Sequence, residues 1–289
     1  MSWRTVVIAS NAKLDLRLGY LVIRKPDETL KVHISEIAVL MVESTAVSLT
    51  ASLLCALMKE KIKVIFCDEK RNPQSELLPY YGSHDTSVRI RSQLLWDEKA
   101  SGDVWTEIVR YKIEKQRDLL QKYCLEGSDI LNLYINQLQY YDSTNREGHA
   151  AKVYFNSLFG KSFARTNDDF INTALNYGYS IILSAFNREI VSAGYLTQIG
   201  IFHDNMFNCF NFASDLMEPF RPLVDDVVYS INPKKFEWEE KKALIDVLNR
   251  EVSICGKRQH CINAISIYSK SVISAIEEKD VSQIKCYEL

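Results

Sequence analysis

The chain has 289 residues, 47% of them hydrophobic and 25% charged, with 10 glycines and 6 prolines; this length allows two domains or one large one, and the scarcity of both helix breakers favours long helices. A formal net charge of −2 gives no basic footprint of the kind that nucleic-acid binders often carry, although acids at a site can mask local basic clusters in the total. No apolar run reaches the roughly 18 residues of a membrane span, and seven cysteines without a disulfide-like framework suit a reducing compartment, so the expectation is a soluble, cytoplasmic protein with no membrane association.

In chain order, MSWRTVVIASNAKLDLR reads as strand and turn rather than a charged region followed by an apolar plug. TVVIA, YLVIR, TLKVHISEIAVLMV and IKVIFCD are short runs rich in Val and Ile, separated by the turn chemistry of SNAK, RKPDE and CDEKRNP. Alternation in KVHISEIAV turns Val32, Ile34 and Ile37 inward and Lys31, His33 and Ser35 outward, as a half-buried strand requires. Between the strands, SLTASLLCALMKEK predicts a covering helix with Leu49, Leu53, Leu54 and Leu57 on one face.

Pro79 and Gly82, in LLPYYGSHDTSVRIR, mark a change of period. Beyond them apolar residues recur at three and four spacing, in QLLWDEKASGDVWTEIVRYKIEKQRDLLQKYCL, ILNLYINQLQYY, AAKVYFNSLFG, INTALNYGYSIILSAFNREIVSAG, MFNCFNFASDLM and EEKKALIDVLNREV. The predicted fold class is α+β: a small β-rich, sandwich-like N-terminal domain over residues 1–78, a linker over 79–86, and a larger all-α domain over 87–289.

Three segments of the helical region could carry chemistry. In NREGHAAKVYFNSLFG, Asn145 is placed to cap a helix whose dipole favours Glu147 in its first turn. Side chains two apart on a helix diverge, so Glu147 and His149 do not share a site; a simple first-turn stabilising role for Glu147 stands beside a functional one. In QIGIFHDN, His203 precedes Asp204 and Asn205 at a loop or helix cap, where a packed or capping histidine is the ordinary alternative. In SDLMEPFRP, Asp215 and Glu218 lie on one helical face and repel unless a cation or a solvated helix end relieves them; Pro219 sets Glu218 at a kink or helix end. Two carboxylates and an imidazole at three helix or loop junctions suit Mg²⁺ or Mn²⁺. Cys255, His260 and Cys261 lack a fourth zinc ligand nearby, and GKSFART lacks the glycine spacing of a phosphate-binding loop.

REGHAAKVYFNSLFG, LNYGYSIILSAFNREIVSAGYLTQIGIFH and SDLMEPFRPLVDD, in this order and at these separations, resemble the CRISPR-associated protein 1 family, the integrase of CRISPR spacer acquisition. WRTVVI, VIFCDEKRNP and PYYGSHDT are similar to its type II branch in particular. The resemblance implies an N-terminal β-domain that dimerises, a helical catalytic domain, and a prokaryotic antiviral-defence complex in which two homodimers are bridged by a dimer of CRISPR-associated protein 2, alongside other type II CRISPR proteins. It also implies that Glu147, His203 and Glu218 are the catalytic metal ligands. The family more often has Asp as its third acid; here Glu218 falls at that position, with Asp215 one turn earlier as its support.

The implied activity is metal-dependent endonuclease and integrase chemistry, in which the 3′-hydroxyl of a short DNA attacks a phosphodiester at the CRISPR repeat. A general DNA nuclease of repair and a non-catalytic DNA-binding scaffold are the competing readings. Arg146, His149, Lys152, Arg165, Arg188, Arg221, Lys257 and Arg258 are the candidate DNA contacts, each equally readable as surface charge, and Tyr177 and Tyr179 read as core aromatics.

Overall fold

The Val- and Ile-rich runs at the start of the chain form two four-stranded sheets. In chain order the elements are β1 (Arg4–Ile8), β2 (Ala12–Arg17), β3 (Tyr20–Arg24), β4 (Thr29–His33), β5 (Ile37–Val42), β6 (Val47–Leu49), α1 (Ala51–Lys59), β7 (Lys63–Cys67) and β8 (Pro73–Leu77). The computed structural model describes residues 4–69, 71–79 and 83–288. Tyr80, Tyr81 and Gly82 of the expected linker, with Trp3 and Lys70 of the quoted motifs, lie outside them. The chain divides into two units, Met1–His84 and Asp85–Leu289.

One sheet of the first unit has the order β1-β5-β7-β8, parallel except for its last pair, and the other has the order β4-β3-β2-β6. The single run TLKVHISEIAVLMV serves both sheets. His33 Nδ1 accepts from the backbone N–H of Ser35 at 3.3 Å, and the chain makes a 3₁₀ turn at Ile34–Glu36 that separates β4 from β5. A local side-chain bond of this kind competes with the strand ladder. Every residue of β5 is buried, as expected for a central strand among parallel neighbours. Thr50 caps α1, and Leu53 and Leu57 pack on Leu14, Leu21, Ile37, Leu40 and Val64, all without exposed surface.

The second unit contains α2 (Thr86–Leu94), α3 (Glu98–Lys122), α4 (Ser128–Asn136), α5 (Arg146–Phe159), α6 (Phe170–Ser192), α7 (Asn211–Met217), α8 (Arg221–Ile231), α9 (Trp238–Ile245) and α10 (Cys261–Glu278). Its centre is α3, 25 residues long, which packs against α4, α5, α8 and α10. The unit is helical but not purely α, because β9 (Glu251–Ile254) and β10 (Lys257–His260) form an antiparallel hairpin. Cys255 and Gly256 make its two-residue turn at φ 52° and 69°, the left-handed geometry that matches hairpin twist. Four residues per strand are too few to register as a period, so this hairpin was hidden within the helical pattern. No helix among the described residues is long and apolar enough to cross a membrane.

Candidate active site

Glu147 is placed by a tight turn before α5. Tyr141, Asp142 and Asn145 hold left-handed φ values of 58°, 47° and 52°, a concentration of positive φ that non-glycine residues seldom adopt. The turn persists because its bonds determine it. Asp142 accepts from the N–H groups of Arg146 and Glu147 at 2.7 and 3.0 Å, and Asn145 accepts from that of Gly148 at 3.3 Å. A Cβ on Gly148 would lie 2.7 Å from the Asn145 side-chain oxygen, so a larger residue there would have to shift the capping side chain. Tyr141 ties the turn to the His203 loop by donating from its hydroxyl to the carbonyl of Ile201 at 3.2 Å.

His203 is fixed by Asp215, which is fully buried. The two Asp215 oxygens accept from the backbone N–H groups of Ile201 (2.7 Å), Phe202 (3.2 Å) and His203 (3.0 Å), and Oδ1 lies 2.6 Å from His203 Nδ1. The carboxylate therefore folds the loop and sets the ring together, leaving Nε2 with no hydrogen bond among the described residues. Gly200 permits the close approach, since a Cβ there would meet His203 O at 2.4 Å and an Asp215 oxygen at 2.6 Å. The hydrogen bond to Asp215 holds the His203 imidazole above its ordinary pKa, while burial raises the Asp215 carboxyl. Trp105 of α3 stacks flat on Phe202 at 4.2 Å and meets the His203 ring edge-on at 5.9 Å.

Glu218 lies in a 3₁₀ turn, Glu218–Phe220, between α7 and α8. It keeps right-handed helical angles although Pro219 follows, a conformation that proline disfavours in the residue before it. Tertiary contacts supply the compensation. Tyr287 donates from its hydroxyl to the carbonyl of Pro219 at 3.0 Å, and Phe220 packs among Phe186, Tyr268 and Tyr287 with ring centroids 4.7 to 5.3 Å away.

Glu147 and Glu218 converge on one buried cation, Lys112 of α3. Its Nζ lies 2.5 Å from Glu218 Oε2 and donates to Glu147 Oε1, while Arg221 approaches Glu218 Oε1 at 2.9 Å. Burial alone would push the Glu218 carboxyl up, but Arg221 and Lys112 outweigh it and hold the group below its ordinary range. Burial pulls on Lys112 in the opposite sense, and the two carboxylates keep its ammonium charged. Among the described residues no three His, Cys, Asp or Glu groups surround a point as a metal cluster does. The expected triad is thus drawn together around an ammonium rather than assembled as a ready three-ligand site. The donors still fit a hard divalent ion: two carboxylates face one cation, and His203 presents Nε2.

Sequence reasoning missed Lys112, although a signal was present. It lies four residues after Ile108 and three after Val109, so the lysine sits on the apolar stripe of α3, where a charge demands a partner. Arg221, one of the expected DNA contacts, pairs with Glu218 and lies over the Tyr179 ring at 4.8 Å. Arg165 is engaged by Asn172 and Asn176, and Arg188 by Glu189. Arg146 sits 5.5 Å over the Tyr134 ring, and His149 also faces Tyr134. Lys152, Lys257 and Arg258 are exposed. Tyr177 and Tyr179 are core aromatics, as read from the sequence.

Behind the site, Asp225 is buried and accepts hydroxyl bonds from Tyr154 (2.8 Å) and Tyr179 (2.5 Å). Burial raises its carboxyl from 3.8 to about 6. A folded pKa above the unfolded one means that the native state holds this proton more tightly. The resulting stability is complete below about pH 4 and is lost as pH rises through about 6. Asp225→Asn, which cannot titrate, is therefore expected to gain on wild type by up to about 3 kcal/mol between about pH 4 and pH 7, at roughly 1.4 kcal/mol per pKa unit. Urea unfolding across that range measures the gain, and parallel curves for the two proteins would exclude a raised Asp225.

A β-rich unit followed by a helical one, whose buried acids, imidazole and cations meet around α3, defines a protein with a charge-paired polar centre suited to phosphodiester chemistry. The family model described as CRISPR associated protein Cas1 matches residues 5–250. The CRISPR-associated endonuclease Cas1 of Neisseria meningitidis serogroup C (strain 8013) is 33% identical over 100% of this chain and 97% of its own. The chain belongs to the Cas1 family. Its fold is also that of a casposase bound to integration product, with a TM-score of 0.75 at 19% identity over 98% of this chain and 93% of that one. A Cas6-RT-Cas1–Cas2 complex gives 0.72 at 18% identity over 97% of this chain, which spans 36% of that longer polypeptide.

Proposed function

We propose that this Cas1-family chain is an integrase and endonuclease of CRISPR adaptation, in which Glu147, His203 and Glu218 form the catalytic centre. The observation that carries the assignment of residues is the convergence of Glu147 and Glu218 on one buried cation beside an imidazole locked by Asp215. The three would hold Mg²⁺ or Mn²⁺, which when bound polarises a phosphoryl oxygen and favours deprotonation of an attacking hydroxyl. Asp215 keeps the imidazole in one orientation with Nε2 free, as carboxylates behind metal-binding histidines do. Arg221 balances the charge of Glu218, and Trp105 with Phe202 closes one side of the loop.

With the 3′-hydroxyl of a short DNA as nucleophile, one phosphodiester forms as another breaks, so joining needs no external energy source. With water as nucleophile the same centre cleaves. Exposed Lys152, Lys257 and Arg258 are the proposed phosphate contacts, and the N-terminal unit is the proposed dimerisation surface. CRISPR-associated protein 2 is the proposed bridging partner, a reading supported by the Cas1–Cas2 composition of the similar complex. Other type II CRISPR proteins are further proposed partners.

The test is a strand-transfer assay with a short duplex bearing free 3′-hydroxyls and a supercoiled plasmid carrying a repeat, with and without the partner protein. Covalent joining that requires Mg²⁺ or Mn²⁺ and is lost in Glu147→Gln is expected. Degradation without joining would favour the general repair nuclease instead.

A further inference from the structure

We infer that Lys112 is the resident counter-ion of the metal-free centre, and that a divalent cation loads by displacing it in company with a DNA phosphate. The inference rests on the metal reading of Glu147, His203 and Glu218. Lys112 is 7% exposed and its Nζ contacts both carboxylates, so the ammonium stands between the groups that would share the ion. Arg221 holds the other oxygen of Glu218 at 2.9 Å. Among these four side chains two carboxylates thus stand against two cations without any metal.

A dication added to this balanced, partly buried cluster leaves two surplus positive charges that solvent screens only in part, which is unfavourable. Movement of the ammonium off Glu147 and Glu218 frees both carboxylates for the metal but leaves the excess charge nearby. An anion must compensate it, and the phosphodiester backbone of DNA is the anion that this site would process. Metal and DNA then raise each other's affinity, because linkage between two bound species is reciprocal. The site is held closed and folded by its own lysine until substrate arrives, which limits unguided cleavage by a metal-loaded enzyme.

The experiment is a Mn²⁺ titration of the full-length protein followed by the EPR signal of free Mn²⁺, alone and with a short duplex whose 3′ ends are dideoxy-blocked so that no joining occurs. For wild type, DNA is expected to tighten Mn²⁺ binding roughly tenfold or more, within the usual range of coupling. Lys112→Met is expected to bind Mn²⁺ at least as tightly without DNA as wild type does with it, and to lose most of the DNA effect. Lys112→Arg keeps the charge and is expected to bind no more tightly than wild type. Thermal unfolding in chelator should show Lys112→Met below wild type, with Mn²⁺ restoring it.

Equal Mn²⁺ affinity in wild type and Lys112→Met, or equal tightening in Lys112→Met and Lys112→Arg, would overturn the displacement. Absence of Mn²⁺ binding in all three proteins, with and without DNA, would instead sink the metal reading itself.

Discussion

Glu218→Gln is expected to lower DNA joining by roughly a thousandfold or more, the scale of losing a group aimed at the charge of the transition state. The substitution keeps size and shape, but it removes the one charge that both Lys112 and Arg221 contact. Buried Lys112 is then left with Glu147 alone, and part-buried Arg221 loses its carboxylate partner. Breaking a buried ion pair from one side destabilises by about 3–5 kcal/mol, so Glu218→Gln should also unfold earlier in urea. Glu218→Asp separates the two effects. It retains the charge and should keep most of the stability while losing activity in proportion to the shortened reach. Wild-type joining by Glu218→Gln would remove Glu218 from the catalytic centre.

The second large effect is expected at Asp215. Asp215→Ala strips the acceptor from three backbone N–H groups and from the His203 ring in a fully buried position. Unsatisfied buried donors and a lost charged acceptor together make this a loss of about 3–5 kcal/mol, and the 201–203 loop should lose its fixed shape. Asp215→Asn keeps one acceptor oxygen and is the milder probe. It should fold, yet join DNA about 10–100-fold more slowly, as removal of a partner behind a ligating histidine commonly does. Thermal unfolding and the strand-transfer assay on both variants check this. Retention of full activity in Asp215→Asn would make the carboxylate structural only.

Much of the architecture was legible because it rests on local periodicity. The Val and Ile runs, the 51–59 helix with Leu53 and Leu57 inward, and the three and four spacing after residue 85 all report burial on one face of a regular element. What periodicity did not separate was β4 from β5, since a three-residue 3₁₀ turn leaves an apolar run looking continuous. The 251–260 hairpin was lost for a different reason, its four-residue strands being too short to show a period, although Cys255-Gly256 is a two-residue turn signal.

The candidate site was legible in its residue types and junctions. The Asn145 cap before Glu147, the loop at His203 and the proline after Glu218 each mark a place where a side chain leaves the regular surface. The arrangement of these groups was not legible. Whether Asp215 turns to His203 or joins Glu218 depends on the fold of the 200–203 loop, which Gly200 allows by its lack of a Cβ. That Arg221 pairs with Glu218 depends on the packing that also sets it over the Tyr179 ring.

Sequence by itself thus determined the two-part layout and the chemical inventory of acids, imidazole and exposed bases, because both are written in short-range spacing. Tertiary structure alone decided that a lysine from α3 stands between two acids from separate segments. A buried charge is stable only beside its counter-charge, and that partner is chosen by packing in space rather than by proximity along the chain.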